Sequence, residues 1–305
     1  MLRRRWFETV EDYSKRKLTN SKDKLIALSG LAHSYYEGES PSGVSDKTFK
    51  GGRWGKYAAG LWEADMPSAL LWRTVIWRTR SAQRSLEYRA PSWSWASIDG
   101  IISYESQMLK SGDKYGDEWF PDDLRNWLPD DPDYLSSIRD SSEYDFGAFC
   151  VQEIETTTSS LDPMGAVSAG HIILTGLVAV AITNEETYTF SRSGSLATYT
   201  WLRDPDGLVV GALLADVPSE MRPSNIYCVS VRDERLGALV AMPEELDNVN
   251  RRRVGDKFER VEMVMGLGLA RIGEEDEKLF MRLGLVRWMR KDLFAGKEAS
   301  IIKIV

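Results

Sequence analysis

Leu196-Ala-Thr-Tyr-Thr-Trp-Leu202, Asp204-Pro205-Asp206-Gly207 and Leu208-Val-Val-Gly-Ala-Leu-Leu214 follow one another as two apolar runs around a polar centre. In that centre Pro205 fixes φ and Gly207 supplies a positive φ, so it reads as a turn. Short apolar or alternating runs bounded by turn residues read as strands. The same reading applies to Phe146 to Ile154, Gly170 to Ile182, Tyr188 to Phe190, Ile226 to Val231, Leu236 to Met242 and Phe258 to Ala270. The chain closes on another, Ala299-Ser-Ile-Ile-Lys-Ile-Val305, while Leu283 to Trp288 suits a strand or a helix. Strands about 10 to 15 residues apart with turns between them predict an antiparallel β sandwich or barrel. Gly266 and Gly268 inside one run predict a bulge or a tight sheet crossing.

Toward the N-terminus the spacing changes. Trp6, Val10 and Tyr13 form one helical stripe, and Leu25, Leu28, Ala32 and Tyr35 form a second. Thr19, Asn20 and Ser21 can cap the second helix, Asp23 suits its first turn, and Gly38 can end it. Residues 43–55 read as a loop. A third helical stretch is expected from Tyr57, broken or restarted at Pro67 and continuing through Leu70, Leu71, Thr74 and Val75. From Pro91 the alternation of Ser92-Trp93-Ser94-Trp95-Ala96-Ser97-Ile98 predicts a half-buried strand. Asp99-Gly100 is a two-residue turn signal, with Ile101 to Tyr104 as the partner strand. The expected fold is α+β: a helical segment, 1–90, packed on a β-rich domain, 91–305.

The 305 residues carry a net charge of −7. Between Asp113 and Asp145 there are 11 carboxylates and 3 basic side chains, a local −8, so the remainder is near neutral. This stretch, within about 105–145, is expected to be an exposed acidic insertion. A chain without a clustered basic face is a poor nucleic-acid binder. No apolar run reaches the ~18 residues of a membrane span, and the basic start Met1-Leu-Arg-Arg-Arg-Trp6 lacks the apolar core of a signal peptide. Cys150 and Cys228 show no CxxC pattern, and no Asn-x-Ser/Thr acceptor occurs, which together favour a reducing, cytoplasmic setting. The 11 tryptophans imply a packed core with specific partners for the indole N–H groups.

Catalytic signatures are scarce. There is no HExxH, no GxxxxGK[ST] and no GxSxG. His33 and His171, the only two histidines, are read as structural or exposed. Gly266-Leu-Gly268-Leu-Ala-Arg271 lacks the third glycine of a dinucleotide loop. The expectation is no catalytic residue, no metal site and no cofactor. Trp93 and Trp95 read as core packing, with a sugar- or ligand-stacking platform of a small-molecule or glycan-binding β-module as the alternative. Asp99 is the candidate for a hydrolytic carboxylate, so Trp93, Trp95 and Asp99 are the candidate ligand-binding residues.

Several stretches together carry a family resemblance. They are Trp6, Val10-Glu-Asp-Tyr-Ser-Lys-Arg-Lys-Leu-Thr19 and Asp23-Lys-Leu-Ile-Ala-Leu-Ser-Gly-Leu-Ala32. They continue as Tyr57-Ala-Ala-Gly-Leu-Trp62, Leu70-Leu-Trp72 and Tyr88-Arg-Ala-Pro-Ser-Trp-Ser-Trp-Ala-Ser-Ile-Asp-Gly100. This order resembles the region that follows the HET domain in fungal heterokaryon-incompatibility proteins. It covers 6–100, and over 146–305 only the strand pattern and the Ile-Ile-Lys-Ile-Val ending fit. The resemblance implies self/non-self recognition and programmed cell death, exerted through a protein partner such as a HET effector domain. The hallmark segments of that effector, a Tyr-x-x-Leu-Ser-Tyr-x-Trp-Gly-like start and a Trp-Ile-Asp-like strand, do not occur in this sequence. The chain is therefore expected to be a fragment or an effector-less product, and no catalytic residue carries over.

Overall fold

The computed structural model describes residues 2–37, 54–77, 81–104, 148–183, 187–192, 195–220, 222–234, 253–254, 257–258, 263–274 and 277–305. The expected acidic insertion and the run Leu236 to Met242 lie outside the described residues, as does Gly38.

Two helices open the chain, α1 (Leu2–Ser14) and α2 (Ile26–Glu37). Trp6 and Val10 of the first stripe are buried and Tyr13 is partly so, with Phe7 buried beside them, and Leu25, Leu28 and Ala32 of the second stripe are buried. Between them a 3₁₀ turn, Ser21–Lys24, is capped by the Asn20 side chain, which accepts from Lys22 N at 3.1 Å. That satisfies one of the donors every helix start leaves open. The helix α1 docks with two of its own side chains. Ser14 Oγ accepts from Ile102 N, and Glu11 Oε1 accepts from Tyr104 N. The Phe7 ring stacks on Tyr104 with centroids 4.2 Å apart.

The third expected helix does not form. Its place is taken by short strands β1 (Tyr57–Ala58) and β2 (Leu61–Trp62), two 3₁₀ turns, and β3 (Trp72–Trp77). Residues 57–62 are buried at every position, so their apolar spacing fits a helix without specifying one. Positive φ at Ala59 (46°) and Gly60 (92°) turns the chain between β1 and β2, which no helix permits. The Ser92–Ile98 strand is also replaced. Trp95–Ser97 is a 3₁₀ turn, and only Ile98–Asp99 is extended. Consecutive burial from 91 to 98 explains the misreading, since both faces of the alternation point into the core. With β4 (Gln83–Arg84), β5 (Ile98–Asp99) and β6 (Ile101–Tyr104) defined, the Asp99-Gly100 pair does not close a hairpin. Strand β5 pairs with β4, and β6 pairs with β3.

The remaining strands are β7 (Cys150–Thr158), β8 (Val167–Thr183), β9 (Tyr188–Arg192), β10 (Ser195–Arg203), β11 (Val209–Ala215), β12 (Asn225–Glu234), β13 (Arg253–Val254), β14 (Lys257–Phe258), β15 (Met263–Arg271), β16 (Leu279–Arg290) and β17 (Ala299–Ile304). Their antiparallel pairings close on themselves in the order β12, β8, β10, β11, β16, β15 and back to β12. Closure is the barrel solution to the problem of unpaired edges. The long strand β8 joins two layers. Its second half lies in this ring, while its first half pairs with β7 and β17.

Alternation along the strands separates two cores. Ala179, Ala181, Ile226, Cys228, Leu213, Val264 and Val286 fill the inside of the ring. Val229, Val231, Met265, Leu267 and Leu285, one residue out of phase, join Trp6, Trp62, Trp72, Trp93 and Trp95 in the larger core. The helical part and the barrel therefore share one apolar core. The expected tight crossing occurs at Gly266. A Cβ there would stand 1.9 Å from Val229 O, closer than any side chain allows. The fold is α+β, with a short helical part on a larger, mostly antiparallel β part.

Candidate functional site

Trp93 and Trp95 stand at the turn that leads into β5, and Asp99 is the last residue of that strand. Ser94 initiates the turn, accepting from Ala96 N at 3.0 Å and donating to Ala59 O at 2.6 Å. Ser97 Oγ donates back to Ser94 O, and Trp72 Nε1 donates to Trp93 O. Ser92 ties the turn to the end of the chain: its N–H and its hydroxyl both donate to Val305 O, and its Oγ accepts from Arg282 N. Trp93 and Trp95 are 0% exposed. Neither ring face is open to a ligand, so both serve packing.

Asp99 is different, with 45% of its side chain exposed. Arg89 Nη2 approaches it to 2.8 Å and Lys24 Nζ to 3.8 Å. Both cations are nearly buried. Arg89 also donates to Ala96 O and Ser21 O, and Lys24 donates to Ile98 O while lying 5.3 Å from the Trp95 ring. A recess of about 280 Å³ opens beside Asp99, lined also by Tyr13, Ser14, Arg16 and Lys17. Among the described residues lining it, Asp99 is the only carboxylate. Two nearly buried cations beside a single carboxylate suit a small anion better than acid–base hydrolysis, which needs two carboxyls with separated pKa values.

A second, wider groove of about 550 Å³ runs between α1 and α2. Its walls are Glu8, Thr9, Asp12 and Arg16 on one side and Ala27, Leu31 and Tyr35 on the other. Thr9 and Tyr35 join across it through a 3.1 Å hydroxyl contact. Asp12 and Arg16 pair at 2.9 Å along α1, and the Arg16 hydrogen bond holds the Asp12 carboxyl below its ordinary range. Leu31 and Ile26, on the same helix, are about half exposed.

No protein family, curated protein or solved structure matches this chain.

The two histidines are placed far apart in function. His33 on α2 contacts Asp162 Oδ1 at 2.9 Å, fastening that helix to the loop between β7 and β8. His171 on β8 contacts Glu153 Oε1 at 2.9 Å. Cys228 lies inside the barrel, where burial raises its thiol far above the ordinary range. Tyr57 and Tyr104 are also pushed up by burial, so neither phenol supplies a base.

Sequence reading missed the central polar contact. Arg282 of β16 lies against Asp216, both side chains 0% exposed. It also donates to Leu70 O and Trp72 O and stacks on Trp72 at 3.7 Å. Nothing in the sequence links these positions, one on β16 and the other just past the end of β11, and they are brought together by barrel closure.

Proposed function

We propose that this chain is the non-catalytic region of a heterokaryon-incompatibility protein and acts through contact with a HET effector domain. The resemblance over 6–100 supplies the partner, and the open α1–α2 groove is the observation that carries the mode of action. A groove with an apolar wall at Ala27 and Leu31 and charged residues along its rim has the make-up of a protein-docking surface. The most family-like run, Arg89-Ala-Pro-Ser-Trp-Ser-Trp-Ala-Ser97, supports the reading in another way. Its side chains are spent on internal hydrogen bonds and packing, so its role is to hold the groove-bearing helices on the barrel.

The test is calorimetric titration of the intact chain with a purified HET domain, repeated with Leu31→Glu. Saturable binding that the variant loses is expected. Absence of binding, or robust turnover of NAD or a nucleotide by the chain alone, would overturn the proposal.

One observation favours a small-molecule module as the second reading. The recess at Asp99 gathers Lys17, Lys24 and Arg16 around a volume fit for a small anion. Glycan stacking is not part of that reading, because the indoles of Trp93 and Trp95 are enclosed.

A further inference from the structure

Glu153, Glu155 and His171 converge on the outer face of the β7–β8 pair, and we propose that they bind a divalent first-row transition ion, with Zn²⁺ as the reference case. The strand period places Glu153 and Glu155 on the same face of β7. The antiparallel register sets His171 directly opposite Glu155. A bulge between Val151 and Glu153 adjusts β7 just before the first ligand. Bulges re-aim side chains next to functional positions.

One ligand atom from each of the three lies within 4.8 Å of the others, and His171 Nε2 and Glu153 Oε1 are already 2.9 Å apart. Zinc bonds of about 2.0–2.2 Å in a tetrahedral arrangement require donors roughly 3.4 Å apart. Rotation of the exposed Glu155 side chain closes the remaining gap. One imidazole nitrogen with two carboxylate oxygens is a borderline donor set, which selects Zn²⁺ and its neighbours over Mg²⁺. Three protein ligands leave a position for water or for a group from another molecule.

The charge balance points the same way. Glu155 has no hydrogen-bond or ion-pair partner among the described residues, and Glu153 has only the imidazole. Lys56, beside them, donates to the Ile154 carbonyl. A divalent ion would neutralise two carboxylates that otherwise repel. The strand pair is closely packed here, since a Cβ on Gly170 would stand 2.7 Å from Pro91 Cγ. This end of the sheet is thus pressed onto the buried turn.

The experiment is titration of the full chain with ZnCl₂, followed by calorimetry, with MgCl₂ in parallel and His171→Ala and Glu155→Gln as variants. Saturable one-to-one binding of Zn²⁺ is expected. It should weaken at least tenfold in His171→Ala, because even outer partners of a metal contribute about 10–100-fold. Glu155→Gln keeps the shape of the site and should weaken binding too. Thermal unfolding should rise with Zn²⁺ in the parent protein and stay flat in His171→Ala. No saturable binding, equal binding of Mg²⁺, or binding unchanged in both variants would each overturn the proposal. The metal titration is independent of any HET domain, so this inference and the proposed function can fail separately.

Discussion

The guanidinium of Arg282 lies 2.9 Å from the carboxylate of Asp216, and neither side chain reaches solvent. Through Leu70 O, Trp72 O and the Trp72 ring the same guanidinium holds the start of β3 and the turn before it against β16. Removing one member of such a pair leaves a buried charge uncompensated, at a cost of about 3–5 kcal/mol. Asp216→Ala and Arg282→Ala should each lower the unfolding free energy by that amount in urea titrations followed by circular dichroism. A loss below ~1 kcal/mol in both would show that the pair is not the clasp described here.

Gly60 has φ of 92°, and a Cβ built on it would stand 2.7 Å from Trp95 Nε1. Gly60→Ala should therefore destabilise the protein by at least roughly 1–3 kcal/mol, the usual cost of a strained backbone position. The shift in tryptophan emission would report the displaced indole. An alanine variant as stable as the parent would refute the packing described around Trp95.

Trp6 Nε1 and Trp95 Nε1 both donate to the carbonyl of Gly60, at 3.1 and 3.0 Å. One donor suffices to keep that buried carbonyl satisfied. The double variant Trp6→Phe with Trp95→Phe should cost more than the two single variants together, by about 1–3 kcal/mol for the orphaned group. Strict additivity in a double-mutant cycle would argue against the shared acceptor.

Leu31 is 49% exposed on the groove wall. Leu31→Glu should leave stability within about ±0.5 kcal/mol, as surface substitutions usually do. Its unfolding curve is the control that separates a lost interface from a lost fold.

Glu11 carries a carboxyl raised from its ordinary value of 4.5, chiefly by burial, although Tyr104 N and Ser103 Oγ oppose the rise. A raised folded pKa means that the folded state binds the proton more tightly than the unfolded chain. The stabilising contribution is complete below the unfolded pKa and is lost as pH rises through the folded one. Glu11→Gln keeps an acceptor for Tyr104 N and removes the charge. Its stability relative to the parent should rise with pH across the window just above 4.5. A flat difference from pH 4 to pH 7 would contradict the burial of Glu11. Asp162 works in the opposite sense. Its carboxyl is held low by Met164 N and His33, so its contribution is lost as pH falls below the ordinary aspartate range.

Local chemistry made much of the β part readable. The turn at Asp204–Gly207 closes as expected, with Asp204 Oδ1 accepting from Asp206 N and Leu208 N. Leu196–Leu202 and Leu208–Leu214 flank it as β10 and β11, paired antiparallel. The ambiguous Leu283–Trp288 falls within β16, because strands on both sides claim its backbone groups. Among the helices, Trp6 and Val10 face inward as their spacing predicts, while Asn20 caps the short 3₁₀ turn before α2 and not α2 itself.

Where burial is complete the pattern carries no direction. Tyr57–Trp62 and Ser92–Ile98 are enclosed on all sides, so apolar spacing could not distinguish helix, strand and turn. Their conformation follows from positive φ at Ala59 and Gly60 and from hydrogen bonds to distant carbonyls. The candidate sites divide along the same line. Amino-acid order marks most of the strands after β6, because those depend on neighbours along the chain, whereas the choice between packing and ligand stacking for Trp93 and Trp95 is made by the enclosure of both indoles. Barrel closure, the Arg282–Asp216 clasp, the α1–α2 groove and the meeting of Glu153, Glu155 and His171 depend on residues brought together across strands and helices. Those contacts exist only once the backbone has closed its loops, and no local periodicity encodes them.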